Sequence, residues 1–127
     1  MSFFYIADET TASGVQHSDE VVVLAAGGEI DYAASPQLRE RLADHVSDGK
    51  RQLVLDLTAV TFIDSTAIGV LVGAAMRAQE LGDGSLAVVC GEENRRVLRI
   101  FEIAGVESVI TVHHSREEAL MALAAAG

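Results

Sequence analysis

From Leu53 to the end of the chain, short apolar runs alternate with amphipathic stretches, and this alternation restricts the fold more than any other feature. Leu53-Val54-Leu55-Asp56-Leu57 is almost continuously apolar, as in a strand covered on both faces. A helical spacing follows it, with Ile68, Leu71, Val72 and Ala75 on one side and Gly82 and Gly84 closing it around Asp83. A strand over Leu86–Cys90 comes next. A third helix carries Val97, Ile100, Phe101 and Ala104 on one face and ends at Gly105. A strand over Val109–Val112 leads to a last helix with Leu120, Leu123 and Ala124, which opens on the capping box Ser115-Arg116-Glu117-Glu118. Strands and helices in this order predict βαβ units and a largely parallel sheet.

The first part of the chain reads differently. A short strand near Phe3–Ile6 and a second over Val21–Ala26 are separated by a polar loop over 7–20 with no helical pattern. Two strands joined without a helix predict an antiparallel edge pair. Gly27-Gly28 permits a bulge or a close approach of backbone. Ser35-Pro36 opens a helix, with Ser35 as cap and Pro36 at the first helical position. Leu38, Leu42 and Val46 form its apolar stripe and Asp48-Gly49 stops it. At 127 residues the expectation is one α/β domain spanning 1–127, with a core over about 20–124, built on a mixed, largely parallel sheet with packed helices.

Composition removes several classes of function. A net charge of −10 opposes binding to nucleic acid phosphates and anionic lipid and suits a partner with a basic surface. No run reaches the roughly 18 apolar residues of a membrane span. The start Met1-Ser2-Phe3-Phe4-Tyr5-Ile6 has no positive segment, so a signal peptide is not expected. A lone cysteine, Cys90, excludes an internal disulfide and a multi-cysteine zinc site; at the end of an apolar run it reads as a buried thiol. His113 and His114 are adjacent and point to opposite faces of a strand, and with His17 and His45 they read as surface residues. Neither a metal nor a cofactor is expected. Ser65 lies in no Gly-x-Ser-x-Gly elbow, and the glycines form no phosphate loop or dinucleotide fingerprint, so an enzyme is not expected. Asp56 sits where a receiver domain carries its acid, but the only lysine is Lys50. Asp56 is instead expected to bond backbone or loop groups at the sheet end.

What remains is Phe62-Ile63-Asp64-Ser65-Thr66-Ala67-Ile68-Gly69-Val70-Leu71, where a strand connection runs into a helix. The first N–H groups of a helix lack internal partners and its dipole is positive there. Asp64 or Ser65 serves as the N-cap, or the position holds a negative group such as a phosphate on Ser65. A second acid-bearing loop, Gly28-Glu29-Ile30-Asp31, follows another strand.

Three stretches together carry a family likeness: Gly28-Glu29-Ile30-Asp31; Leu55-Asp56-Leu57 through Phe62-Ile63-Asp64-Ser65-Thr66; and Arg95-Arg96-Val97 to Phe101-Glu102-Ile103-Ala104-Gly105. The chain resembles the STAS-domain anti-sigma factor antagonists of bacteria from Val21 to Leu123. The Asp-Ser-(Ser/Thr) element is the specific part. The resemblance implies a cytoplasmic regulator of sigma-factor-dependent transcription with Ser65 as its phosphorylation site. It places Asp31 near that site and makes Asp31, Asp64, Ser65 and Thr66 the partner-binding residues, with Thr66 an alternative acceptor. The implied partners are an anti-sigma factor with serine kinase activity, bound by the unphosphorylated form, and a serine phosphatase that resets the switch. A second reading keeps the fold without the switch, as a structural subunit of a stressosome-like or transporter-associated assembly. Where the family usually has Gly after the hydroxyl pair this chain has Ala67, whose Cβ is expected on the surface a kinase approaches.

Overall fold

The computed structural model describes residues 3–9, 21–47, 52–82 and 84–126. The elements run β1 (Phe4–Glu9), β2 (Val21–Ile30), α1 (Ser35–Ser47), β3 (Gln52–Ile63), α2 (Ser65–Gly82), β4 (Ser85–Val89), α3 (Arg95–Ala104), β5 (Ile110–His113) and α4 (Arg116–Ala126). The strands form one sheet in the order β1-β2-β3-β4-β5, with β1 antiparallel to β2 and every other pair parallel. The edge pair and the βαβ repeat expected from the hydrophobic pattern are both present.

Alternation along the strands divides the sheet into two faces. One face carries Ile6, Leu24, Ala26, Ile30, Leu53, Leu55, Leu57 and Ile63, packed with Leu38, Leu42 and Val46 of α1, Ile68, Leu71 and Ala75 of α2, and Val97 and Phe101 of α3. Leu38, Leu42 and Leu71 are fully buried, each contributing about 1.5–3 kcal/mol over an exposed side chain. Among the described residues the other face is covered by α4 alone, over Val23, Val54, Ala87 and Val89. Ala119 of α4 is fully buried; Leu120 and Leu123 pack beside it. Ala104, expected on the buried side of α3, is exposed, and Gly105 in the left-handed region ends that helix. The Asp48-Gly49 stop and most of the 7–20 loop lie outside the described residues.

Three strands are longer than the sequence pattern implies. β1 extends past Ile6 to Glu9, pairing Asp8 with Leu24 and Glu9 with Val23. β2 continues through Gly27-Gly28 to Ile30, and β3 runs past Leu57 to Ile63. The β2–β3 ladder survives there by shifting register between Ala25 and Gly27 and again between Gly28 and Glu29. Gly28 makes this possible: its φ is +86°, and a Cβ there would fall 2.0 Å from the Phe3 carbonyl oxygen. Gly28-Glu29-Ile30 is therefore strand, not loop, and only Asp31 lies beyond its end.

Candidate functional site

The two acids of the motif meet because of strand register. Ile30 and Ile63 are the last residues of β2 and β3 and pair with each other. The next residues, Asp31 and Asp64, thus leave the sheet side by side, and the Asp64 N–H donates to the Ile30 carbonyl at 3.3 Å.

Asp64 is the N-cap of α2. Its Oδ1 accepts the Ala67 N–H at 3.0 Å, and its carbonyl accepts the Ile68 N–H at 3.1 Å. Ser65 and Thr66 are thereby the first two helical residues, and both are exposed. Neither hydroxyl has a hydrogen-bond partner among the described residues. A primary hydroxyl stands in solvent at the positive end of an 18-residue helix. Thr66 does not face the core, whereas Ala67 does: its methyl is fully buried among the α1–α3 core residues. The Ala67 side chain is accordingly not part of the surface a partner would touch, contrary to the expectation from sequence.

Asp31 also caps, one turn ahead of α1. Its Oδ1 accepts the N–H groups of Ala33 and Ala34 at 3.1 and 3.0 Å. Its carbonyl accepts the Ser35 N–H and the Ser35 hydroxyl, both at 3.0 Å. Ser35, expected as the cap of α1, is instead a buried donor to Asp31. The sequence reading missed the exposed aromatics beside these acids, Tyr32 after Asp31 and Phe62 before Ile63-Asp64. An aromatic flanking an acid at a strand end was the available signal.

Asp56 bonds backbone at the sheet end, as expected, and in addition pairs with an arginine. It lies within β3, paired with Ala25 and Val89, where β4 ends. Its carboxylate accepts the Thr58 N–H at 2.9 Å, the Thr58 hydroxyl, and Arg116 Nε at 2.6 Å. Burial raises its pKa, but the bonds from Thr58 and Arg116 outweigh that and hold it below the ordinary carboxylate value. Arg116 also reaches Glu9, so the start of α4 is tied to β3 and to β1. The capping box of α4 is half formed: the Ser115 hydroxyl accepts the Glu118 N–H, while Glu118 Oε1 accepts from the N–H of His114, not of Ser115. Cys90 is fully buried, and burial, then the charges of Glu93 and Asp56, push its thiol up to about 11, so it is not a nucleophile. His45 contacts Asp8, His113 contacts Glu118 and His114 contacts the Cys90 carbonyl. Among the described residues no group of three or more His, Cys, Asp or Glu could hold a metal ion, and no helix is long and apolar enough to cross a membrane.

Residues 13–119 match the STAS domain family. Over 99 residues, 78% of this chain and 89% of the relative, the sequence is 31% identical to the anti-sigma-B factor antagonist of Staphylococcus aureus. Among solved structures, an anti-sigma factor antagonist from Mycobacterium paratuberculosis superposes with a TM-score of 0.76 at 25% identity, covering 94% of this chain and 93% of that one. The Bacillus cell fate determinant SpoIIAA in its phosphorylated form shares the fold with a TM-score of 0.63 at 21% identity, covering 94% and 99%. The first two of these proteins are named for antagonising an anti-sigma factor. With its mixed sheet, its four helices and its paired acid-capped helix starts, the chain belongs to the STAS-domain family of anti-sigma factor antagonists.

Proposed function

We propose that the protein is a phosphoswitch: it binds an anti-sigma factor with serine kinase activity while Ser65 is unmodified, and phosphorylation of Ser65 releases that partner. A serine phosphatase restores the binding form, and the outcome is control of sigma-factor-dependent transcription. One observation carries this reading. Asp64 takes the capping bond to Ala67, which leaves the Ser65 hydroxyl exposed at the helix start, with no hydrogen-bond partner among the described residues. A solved relative of the same fold exists in a phosphorylated form, which favours a switch over a purely structural subunit.

The physics needs no rearrangement. A phosphate adds about −1.5 to −2 charge at neutral pH. The helix dipole offsets part of it, but the adjacent Asp64 and the neighbouring Asp31 repel it. A surface that docks closely on the bare hydroxyl would have to bury a repelled dianion. A loss of about 3 kcal/mol weakens binding more than a hundredfold. Asp31 keeps Oδ2 free of any bond among the described residues, so this oxygen is available to orient the Ser65 hydroxyl or to accept from a basic group of the partner. Thr66 shares the partner surface and is the alternative acceptor.

The test is calorimetric titration of the host's anti-sigma factor into the protein before and after phosphorylation. Tight binding of the unmodified form and a loss of about a hundredfold on phosphorylation support the switch. Equal affinities leave the fold without the switch.

A further inference from the structure

α1 and α2 pack side by side on the sheet, and a groove of about 300 Å³ runs between them on the outer side. Each connects one parallel strand to the next, so the two helices run in the same direction. The buried side chains of Val46 and Val70 form the floor. Gly69 and Gly73 leave the α2 wall bare, and an added Cβ at either would meet nothing within 4 Å. Neither has the left-handed φ that would call for glycine. Glycine in a helix interior is less favourable than alanine, and nothing in the packing or the backbone of this fold requires it at these two exposed positions.

Both ends of the groove are cationic. Arg39 stands on α1 at one end and Arg77 on α2 at the other. From Gly69 to Arg77 the wall spans about 12 Å, at about 1.5 Å per residue of helix. Both arginines are exposed, and neither has an acidic partner or a hydrogen bond among the described residues. The chain has nine Lys and Arg against nineteen Asp and Glu. Two cations left unpaired across one apolar groove, in a chain so rich in acids, call for an anion at each end.

We infer that the groove binds a linear dianion with an apolar middle, a medium-chain aliphatic dicarboxylate. Its methylenes lie over Val46, Val70 and the two glycines, and one carboxylate sits on each arginine. A guanidinium takes a carboxylate through two parallel N–H donors. Ligand sites of about this size are mostly apolar, with a few polar groups that fix orientation. A monocarboxylate of the same length satisfies one end only. A second copy of the chain is a poorer occupant, because none of its described helices carries acids two turns apart to meet both arginines. The site uses neither Ser65 nor a protein partner, so it does not depend on the antagonist reading.

An amide-resolved NMR titration of the full chain with decanedioate, decanoate and butanedioate tests it. Arg39→Gln, Arg77→Gln and Gly73→Leu are run alongside, with a thermal melt and sedimentation of each protein. Decanedioate, whose extended chain sets its carboxylates about as far apart as the groove is long, is expected to saturate one site with a Kd of about 1 mM or tighter. The amides that shift are expected to be those of Gly69, Gly73 and the residues around Arg39 and Arg77. Decanoate is expected to bind about tenfold more weakly, and each glutamine variant to bring decanedioate down to that level. Gly73→Leu is expected to abolish binding without lowering the melt, because its side chain enters the groove and leucine favours helix. No saturation at about 10 mM, shifts confined to another surface, or butanedioate binding as well as decanedioate would each overturn the proposal. Decanedioate binding that the three variants leave unchanged would overturn it too. A wild-type dimer that Gly73→Leu turns into a monomer assigns the groove to a second copy, which also overturns it.

Discussion

Two helix starts stand side by side at the ends of β2 and β3, built on one plan with opposite results for their hydroxyls. Each begins with an aspartate directly after paired isoleucines, and each aspartate accepts backbone N–H groups of the following turn. At α1 an extra turn intervenes, and the serine that follows is buried with its hydroxyl donating to Asp31. At α2 the helix begins at once, and the serine faces solvent with no hydrogen-bond partner among the described residues. The comparison teaches that a capping acid releases a neighbouring hydroxyl for chemistry only when the helix starts immediately after it. On the proposed reading, Asp64 serves the switch through the position it leaves to Ser65.

The largest expected effect separates the two starts by function. Ser65→Glu should weaken the anti-sigma factor by about a hundredfold without lowering the melting temperature, since an acid at a helix start is tolerated. An affinity equal to wild type would remove the electrostatic switch, and a collapsed melt would make Ser65 structural. The two acids, in contrast, should behave alike. Asp64→Ala and Asp31→Ala should each lower the unfolding free energy by about 1 kcal/mol in denaturant titrations, the usual cost of a lost cap. A loss confined to one of them would break the parallel. The serines should then differ in the opposite sense from the switch: Ser35→Ala should cost about 1 kcal/mol, a buried hydrogen bond, and Ser65→Ala less than about 0.5 kcal/mol. Asp31→Asn keeps the cap and removes the charge. It should move stability by less than about 1 kcal/mol yet change the phosphorylation rate or the partner affinity several-fold. Unchanged kinetics and binding would return Asp31 to a capping role only.

Much of this was legible in the sequence, because the fold is written in periodicity. Leu38, Leu42 and Val46 announce α1, and the run Leu53–Leu57 announces a central strand; both sit in the core as their spacing requires. The strand ends were harder to read. Gly27-Gly28 has turn-like composition, and Thr58 to Thr61 breaks the apolar run that marks β3, yet pairing to neighbouring strands carries β2 and β3 through them by way of register shifts that local sequence does not reveal. Ser35-Pro36 reads as a helix start because Ser and Pro favour those positions; the capping side chain is Asp31, on the turn at Tyr32–Ala34 that precedes the helix. The pairing of Asp56 with Arg116 joins residues sixty apart in sequence, beyond any local pattern. The adjacency of Asp31 and Asp64 entered through family resemblance, and register is its physical cause.

The most direct test is to incubate the protein with the host's anti-sigma kinase and ATP and map the modified residue by mass spectrometry, with Ser65→Ala in parallel. The expected result is one phosphate, on Ser65, and none on the variant. Undiminished label on Ser65→Ala, or a phosphate mapped to Thr66 in the wild type, would contradict the assignment of the free hydroxyl beside Asp64 as the switch.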